Sequence, residues 1–344
     1  MMLLRTNGFV PMARPAFKQV FRAATMEAST TDSDFDDYKS TKSFFFPGQG
    51  AQVVGMAKEV VEECPAAADL FTKASDILGY DLLARCSEGP KDLLDSTEVS
   101  QPAIFVASMA AVEKYKMENG EASVDDVTCA MGLSLGEYSA LCFAGAISFE
   151  DGVKITKIRG EAMQAASDAV DSGMVSVIGL DSAKTSELCK KASETSGEKI
   201  AIANYLCNGN YAVSGSKKAC EVVASIAKPD FGARMTVPLA VAGAFHTDFM
   251  EPAVSKLADV LKDVDIKKPR IPVISNVDAK PHSDPEVIKK ILTTQVTSPV
   301  LWENTMGTIL ERGFEEGFEL GPGKVVAGIM KRIDKKASIT NIVV

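Results

Sequence analysis

The feature that most constrains this chain is a sharp turn between an apolar run and a helical pattern. Residues 127–131 read as a buried strand, Gly132-Leu133-Ser134-Leu135-Gly136 follows, and a helix is expected to start near Glu137. The glycines allow a turn tight enough to hold the serine hydroxyl clear of the sheet. The first amides of the following helix favour negative charge at that point. The five residues match the G-x-S-x-G nucleophile elbow, and they sit in the strand–turn–helix setting that the motif requires. An ordinary glycine turn can carry the same pentapeptide, so the setting, more than the residues, points to a nucleophile. Upstream, residues 43–46 form another short apolar run that stops at Pro47-Gly48-Gln49-Gly50. Ile104, Ala107, Ala111 and Tyr115 stand at helical spacing within 102–117. Strand alternating with helix predicts an α/β fold, a parallel sheet flanked by helices, with ligands gathering where strands end in loops.

From about Met174 the texture changes. Strands are expected over 174–179 and 211–214, and helices over 184–192 and 217–227, which reads as βαβ units of a small insert. Strands over 234–239 and 272–276 are expected to return the chain to the main sheet, followed by a helix over 285–292. At 344 residues, with 46% hydrophobic and 24% charged residues, the chain can bury a sizeable core. No apolar run approaches the roughly 20 residues that a membrane helix needs.

Residues 1–25 carry Arg5, Arg14, Lys18 and Arg22 and no acid, the composition of an organelle transit peptide, although a frayed basic terminus has the same look. Residues 27–37 are acid-rich and read as a solvated linker, so ordered structure is expected from near Thr41. Without the four basic residues the formal charge moves from −9 to −13. So acidic a body argues against general nucleic-acid binding. The seven cysteines are odd in number and lack CxxC spacing, which favours neither a disulfide framework nor a zinc site.

A serine alcohol needs a base within hydrogen-bond reach. The chain has two histidines. His246 ends the stretch Val241-Ala242-Gly243-Ala244-Phe245, read as following a strand, whereas His282 lies in a Pro- and Asp-containing loop. His246 is therefore the stronger candidate. Arg159 stands on a helical pattern over 152–166 whose apolar positions are Val153, Ile155 and Ile158; on its own it reads as a solvated charge.

Phe46-Pro47-Gly48-Gln49-Gly50-Ala51-Gln52, Gln101-Pro102-Ala103, the elbow through Glu137, Arg159, Gly243-Ala244-Phe245-His246 and Gly321-Pro322-Gly323-Lys324 occur in this order. In these motifs the chain, from about Phe44 to Ile342, resembles the malonyl-CoA:acyl carrier protein transacylases, most closely the plastid members. The resemblance implies an α/β-hydrolase-like main domain over 41–170 and 240–344 and a ferredoxin-like insert over 171–239, preceded by a leader and linker over 1–40. It implies Ser134 as nucleophile, His246 as base, and a backbone carbonyl near Gln295 in place of an acidic third member. The amides of Gln49 and Leu135 are implied as the oxyanion hole, and Arg159 as the fork that meets the malonyl carboxylate. Gln101, Gln295 and Asn204 become polar wall residues. Phe245 stands where methylmalonyl-selective relatives carry a smaller residue. Malonyl-CoA and acyl carrier protein are the implied partners, of a monomer with no cofactor or metal, in the plastid or alternatively the mitochondrial matrix.

Two departures stand out: Leu133 replaces a histidine common in bacterial members, and Leu206 and Asn208 interrupt the pattern around Asn204. The basic runs Lys324 to Lys336 and Lys267, Lys268, Arg270 are the candidate faces for an acidic carrier. A relative of other acyl specificity, which would not need Arg159, and a carboxylester hydrolase, which shares the elbow, are the competing readings.

Overall fold

The computed structural model describes residues 33–344; the basic segment read as a leader lies outside them. Along the chain, strands β1 (Lys42–Phe46) and β2 (Cys129–Gly132) come first. They are followed by β3 (Ser172–Ile178), β4 (Ile200–Cys207), β5 (Asn210–Ser216) and β6 (Met235–Pro238), and then by β7 (Val273–Ile274), β8 (Glu316–Leu320) and β9 (Ile339–Ile342). A five-stranded sheet runs β7-β2-β1-β8-β9 with every pairing parallel. The Phe44, Phe45 and Phe46 side chains of β1 are fully buried, because helices cover both faces of a parallel sheet and leave no solvent side. The fold is thus the expected α/β class, a parallel sheet with a smaller second sheet.

That second sheet is antiparallel, in the order β4-β5-β3-β6, with helices Ser182–Ser196 and Lys217–Ile226 packed on it through Leu188, Ala192 and Val223. Its βαββαβ order is that of a ferredoxin-like unit. The segment over 234–239 corrects an expectation: β6 does not rejoin the main sheet but pairs antiparallel with β3, Val175 opposite Pro238 and Ile178 opposite Met235. The physical reason is visible in its residues. None of the four is buried, and it ends in a proline, as an edge strand tolerates and a central parallel strand does not. Nor does order begin only near Thr41. Tyr38 and Ser40 are already buried, the Ser40 hydroxyl donating to the Ile309 carbonyl at 2.6 Å.

Two helices set the floor of the site. Helix Thr97–Asn119 is apolar nearly all round and is buried along most of its length, as a central helix must be. Helix Phe149–Asp168 starts at Ser148, whose hydroxyl caps the Asp151 amide, and packs closely on it. The approach needs glycine at Gly160, since a Cβ there would lie 2.7 Å from the Thr97 carbonyl oxygen. This crossing puts Arg159 opposite Gln101. No helix among the described residues is long and apolar enough to cross a membrane.

Candidate active site

Ser134 stands where β2 turns into helix Gly136–Phe143. The turn is tight: a Cβ on Gly132 would lie 1.9 Å from the Gly136 carbonyl carbon. Ser134 itself takes φ 52°, left-handed backbone that non-glycine residues enter only when the surroundings enforce it. Asn276 supplies the enforcement, its Oδ1 accepting from the Ser134 amide at 2.6 Å while its Nδ2 donates to the Gly132 carbonyl at 2.8 Å.

His246 comes from an irregular loop; the strand expected just before it is absent. The loop is pinned instead by side chains and one long-range amide. The Ala244 amide donates to the Ser172 hydroxyl at 3.1 Å, the Thr247 hydroxyl to the Ala244 carbonyl at 2.7 Å, and the His246 amide to the Val296 carbonyl at 3.0 Å. His246 has φ 60° and is 3% exposed. Its Nδ1 lies 2.9 Å from the Gln295 carbonyl oxygen. A carbonyl only accepts, so Nδ1 carries the proton and Nε2 presents a lone pair to the Ser134 hydroxyl, 2.8 Å away. Burial first, and then the nearby Arg159 cation, push the His246 pKa down to about 4. The imidazole is therefore neutral and able to take a proton at pH 7.

Arg159 is 1% exposed. Its Nη1 donates to Gln101 Oε1 at 2.7 Å, and its Nη2 donates to Gln295 Oε1 at 3.0 Å and to Ser134 Oγ at 3.1 Å. Its Nε is buried without a partner among the described residues. Among the described residues no carboxylate touches the guanidinium, and burial lowers its pKa. A buried carboxyl group lies close by: Glu137 accepts from the Asn276 amide at 3.0 Å and from Gln295 Nε2 at 2.7 Å, and burial pushes its pKa up to about 7. Sequence reading named the Glu137 position within the elbow but assigned it no role, and it missed Asn276 altogether.

The remaining candidates fall around this cluster. Gln49 lies in the turn after β1, its side chain 3.4 Å from the Thr97 hydroxyl; Leu135 begins the helix behind Ser134. Among the described residues neither amide donates to a backbone carbonyl, which leaves both N–H groups for a ligand oxygen. Phe245 is 5% exposed and belongs to the main core. Asn204, on β4, stays outside the hydrogen-bonded cluster, and its Oδ1 is buried without a partner among the described residues. His282 is elsewhere, paired with Asp278 at 2.9 Å. A cavity of about 340 Å³ opens beside His246, lined by Ile200, Ile202 and Ser214 of the small sheet and by Thr247, Phe249 and Pro299 from the turns after His246 and Gln295.

A buried neutral base on a serine hydroxyl, with a guanidinium on the same oxygen, is equipped for acyl transfer from a carboxylate-bearing acyl donor. Comparison with known proteins gives the same class. The acyl transferase domain family matches residues 43–343. The mitochondrial malonyl-CoA-acyl carrier protein transacylase of Homo sapiens is 44% identical over 304 residues, covering 85% of this chain and 77% of that protein. The malonyl CoA-acyl carrier protein transacylase of Bacillus subtilis is 40% identical, covering 86% and 90%. Among solved structures, the malonyl CoA-acyl carrier protein transacylase of Coxiella burnetii superposes with a TM-score of 0.84 at 34% identity, covering 89% of this chain and 94% of that one. A malonyl-transacylase in complex with its type II PKS acyl-carrier protein superposes at 0.82 and 36% identity, covering 88% and 96%. The chain belongs to the acyl transferase family, among the malonyl-CoA:acyl carrier protein transacylases.

Proposed function

We propose that this enzyme moves malonyl from malonyl-CoA to the phosphopantetheine thiol of acyl carrier protein through an ester on Ser134, supplying fatty acid synthesis. The observation that carries the proposal is the convergence of His246 Nε2 at 2.8 Å and Arg159 Nη2 at 3.1 Å on one serine oxygen.

The geometry supports a two-stage reaction. As Ser134 Oγ attacks the thioester carbonyl, His246 Nε2 takes the hydroxyl proton, and the Gln295 carbonyl holds the resulting imidazolium through Nδ1–H. The tetrahedral oxyanion falls to the amides of Gln49 and Leu135, fixed donors that gain most when the charge appears. Collapse breaks the C–S bond, and His246 returns its proton to the departing CoA thiolate. The carrier thiol then gives its proton to His246, attacks the Ser134 ester, and leaves with the malonyl group while the proton returns to Ser134. Arg159 holds the malonyl carboxylate throughout, with Gln101 and Gln295 fixing the guanidinium. Asn204 offers a polar contact on the insert side, and Phe245 limits room at the malonyl C2. The division into a main domain over 41–170 and 240–344 and an insert over 171–239 is part of the same proposal, as is action as a monomer.

Of the two basic runs, the one over 324–336 is the better docking face for an acidic carrier. Lys268 is paired with Asp34 at 2.7 Å, and Arg270 is folded over the Phe143 ring at 4.6 Å. Lys331, Arg332, Lys335 and Lys336 are exposed, and no ion pair engages them among the described residues. We further propose that residues 1–25 address the chain to the plastid, with the mitochondrial matrix as the alternative that relatives in mammalian mitochondria favour. Fusion of residues 1–40 to a fluorescent protein, followed in cells, separates the two.

A carboxylester hydrolase shares the elbow, but an arginine beside the nucleophile, without a counter-ion among the described residues, favours an acyl group that brings its own carboxylate. The test is transfer itself. Malonyl-CoA and holo-carrier should give malonyl-carrier with parallel double-reciprocal lines, and release of free malonate in place of malonyl-carrier would overturn the proposal.

A further inference from the structure

Glu137 carries a buried carboxyl group, 3% exposed, that the reaction described above does not use. Its Oε2 is the acceptor for two different elements: the backbone N–H of Asn276 at 3.0 Å and the side-chain Nε2 of Gln295 at 2.7 Å. Each of those residues holds a different part of the site. Asn276 clamps the elbow through the Ser134 amide and the Gly132 carbonyl. Gln295 offers its backbone carbonyl to His246 Nδ1 and its Oε1 to Arg159 Nη2.

The orientation of the Gln295 amide follows from donor and acceptor counting. Both Nε2 protons have acceptors, one in Glu137 and the other in the Ser134 carbonyl at 3.1 Å. Oε1 is therefore left for the guanidinium. The reversed amide would set Oε1 against the Oε2 acceptor and NH2 against a cation, an acceptor facing an acceptor and a donor facing a donor. We infer that Glu137 is a positioning residue: through Oε2 it fixes the Gln295 amide and the Asn276 clamp, and so sets Arg159 and His246 against Ser134.

This inference rests on the acyl-transfer reading, so the wild type is its internal control. The measurement is the single-turnover loading rate of Ser134 from malonyl-CoA and from acetyl-CoA, taken as a ratio, in wild type, Glu137→Gln and Glu137→Asp. The ratio does not depend on how much of a preparation is folded, so a purely structural role would not move it. Gln keeps an acceptor oxygen in the position of Oε2, and its ratio stays within about twofold of wild type. Asp keeps the carboxyl group but draws the acceptor back by one methylene, and its ratio falls about tenfold, the scale of one lost hydrogen bond. An Asp variant with the wild-type ratio, or a Gln variant that falls as far as Asp, overturns the inference. A wild type that does not prefer malonyl overturns the acyl-transfer reading instead.

Discussion

Nη2 of Arg159 lies 3.1 Å from Ser134 Oγ, on the same oxygen that faces His246 Nε2 at 2.8 Å. The guanidinium is buried and its hydrogen-bond partners, Ser134, Gln101 and Gln295, are all neutral. Removing such a cation from water costs several kcal/mol, and no direct ion pair among the described residues offsets it. The cost is met in folding, so an incoming carboxylate finds a ready counter-ion. Until it arrives, burial first and the same cation second hold the adjacent imidazole neutral.

Arg159→Met should therefore lower kcat/KM for malonyl-CoA by about 100-fold, on the scale of two charge-assisted hydrogen bonds, while loading from acetyl-CoA holds or rises. Free malonate should raise the melting temperature of wild type and leave that of the variant unchanged, because only a ligand that binds the native state shifts the transition. Equal losses for malonyl and acetyl would remove Arg159 from carboxylate recognition.

The pH dependence has a definite sign. His246, lowered from 6.5 to about 4, refuses a proton that the unfolded chain binds, so its contribution is complete above pH 6.5 and is lost as pH falls toward 4. Glu137, raised from 4.5 to about 7, keeps a proton that the unfolded chain releases, so its contribution is complete below pH 4.5 and is lost as pH rises toward 7. The two slopes oppose one another between pH 4.5 and 6.5. Glu137→Gln removes one of them, and the stability of the variant should climb more steeply than that of wild type between pH 5 and 6.5, by about 1 kcal/mol per pH unit at most. Denaturant melts across that range give the comparison.

Activity should follow the same base. The acid limb of kcat/KM, which reports the free enzyme, should fall well below pH 6.5. The limb of kcat should lie higher, because a bound malonyl carboxylate neutralises Arg159 and relieves His246. Coincident limbs at pH 6.5 would mean that the imidazole is not held neutral by burial and Arg159.

Phe245 gives a steric prediction. Phe245 is buried and next to His246 in the chain, and the proposed function has it fill space that a C2 methyl group on the substrate would need. Phe245→Ala should raise methylmalonyl loading relative to malonyl by about tenfold or more, the 1 to 3 kcal/mol attached to one methyl group. A variant that still rejects methylmalonyl would place the steric limit elsewhere.

The sequence made the elbow, β1 and the long helices legible because each is local: a period, a glycine pair, a run of apolar residues. The small sheet was read less well. β4 carries its own signal, an apolar stretch running into Asn208-Gly209 with Gly209 at φ 79°, a two-residue hairpin turn into β5 that the reading passed over. β6 was sent to the wrong sheet although Pro238 marked it as an edge. Gln295 and Arg159 came from family resemblance, since no periodicity tells a buried guanidinium from a solvated one. Asn276 could not be found at all. It reaches Ser134 across 142 positions, a relation that exists only once β7 lies beside β2.

The central claim is an acyl-enzyme on Ser134 selected by a carboxylate. Intact-protein mass after brief mixing with malonyl-CoA, without carrier, tests it most directly. Wild type should gain one malonyl unit, Ser134→Ala none, and acetyl-CoA should label wild type far less. An adduct that persists in Ser134→Ala would contradict the nucleophile, and equal labelling by acetyl would contradict the role of Arg159.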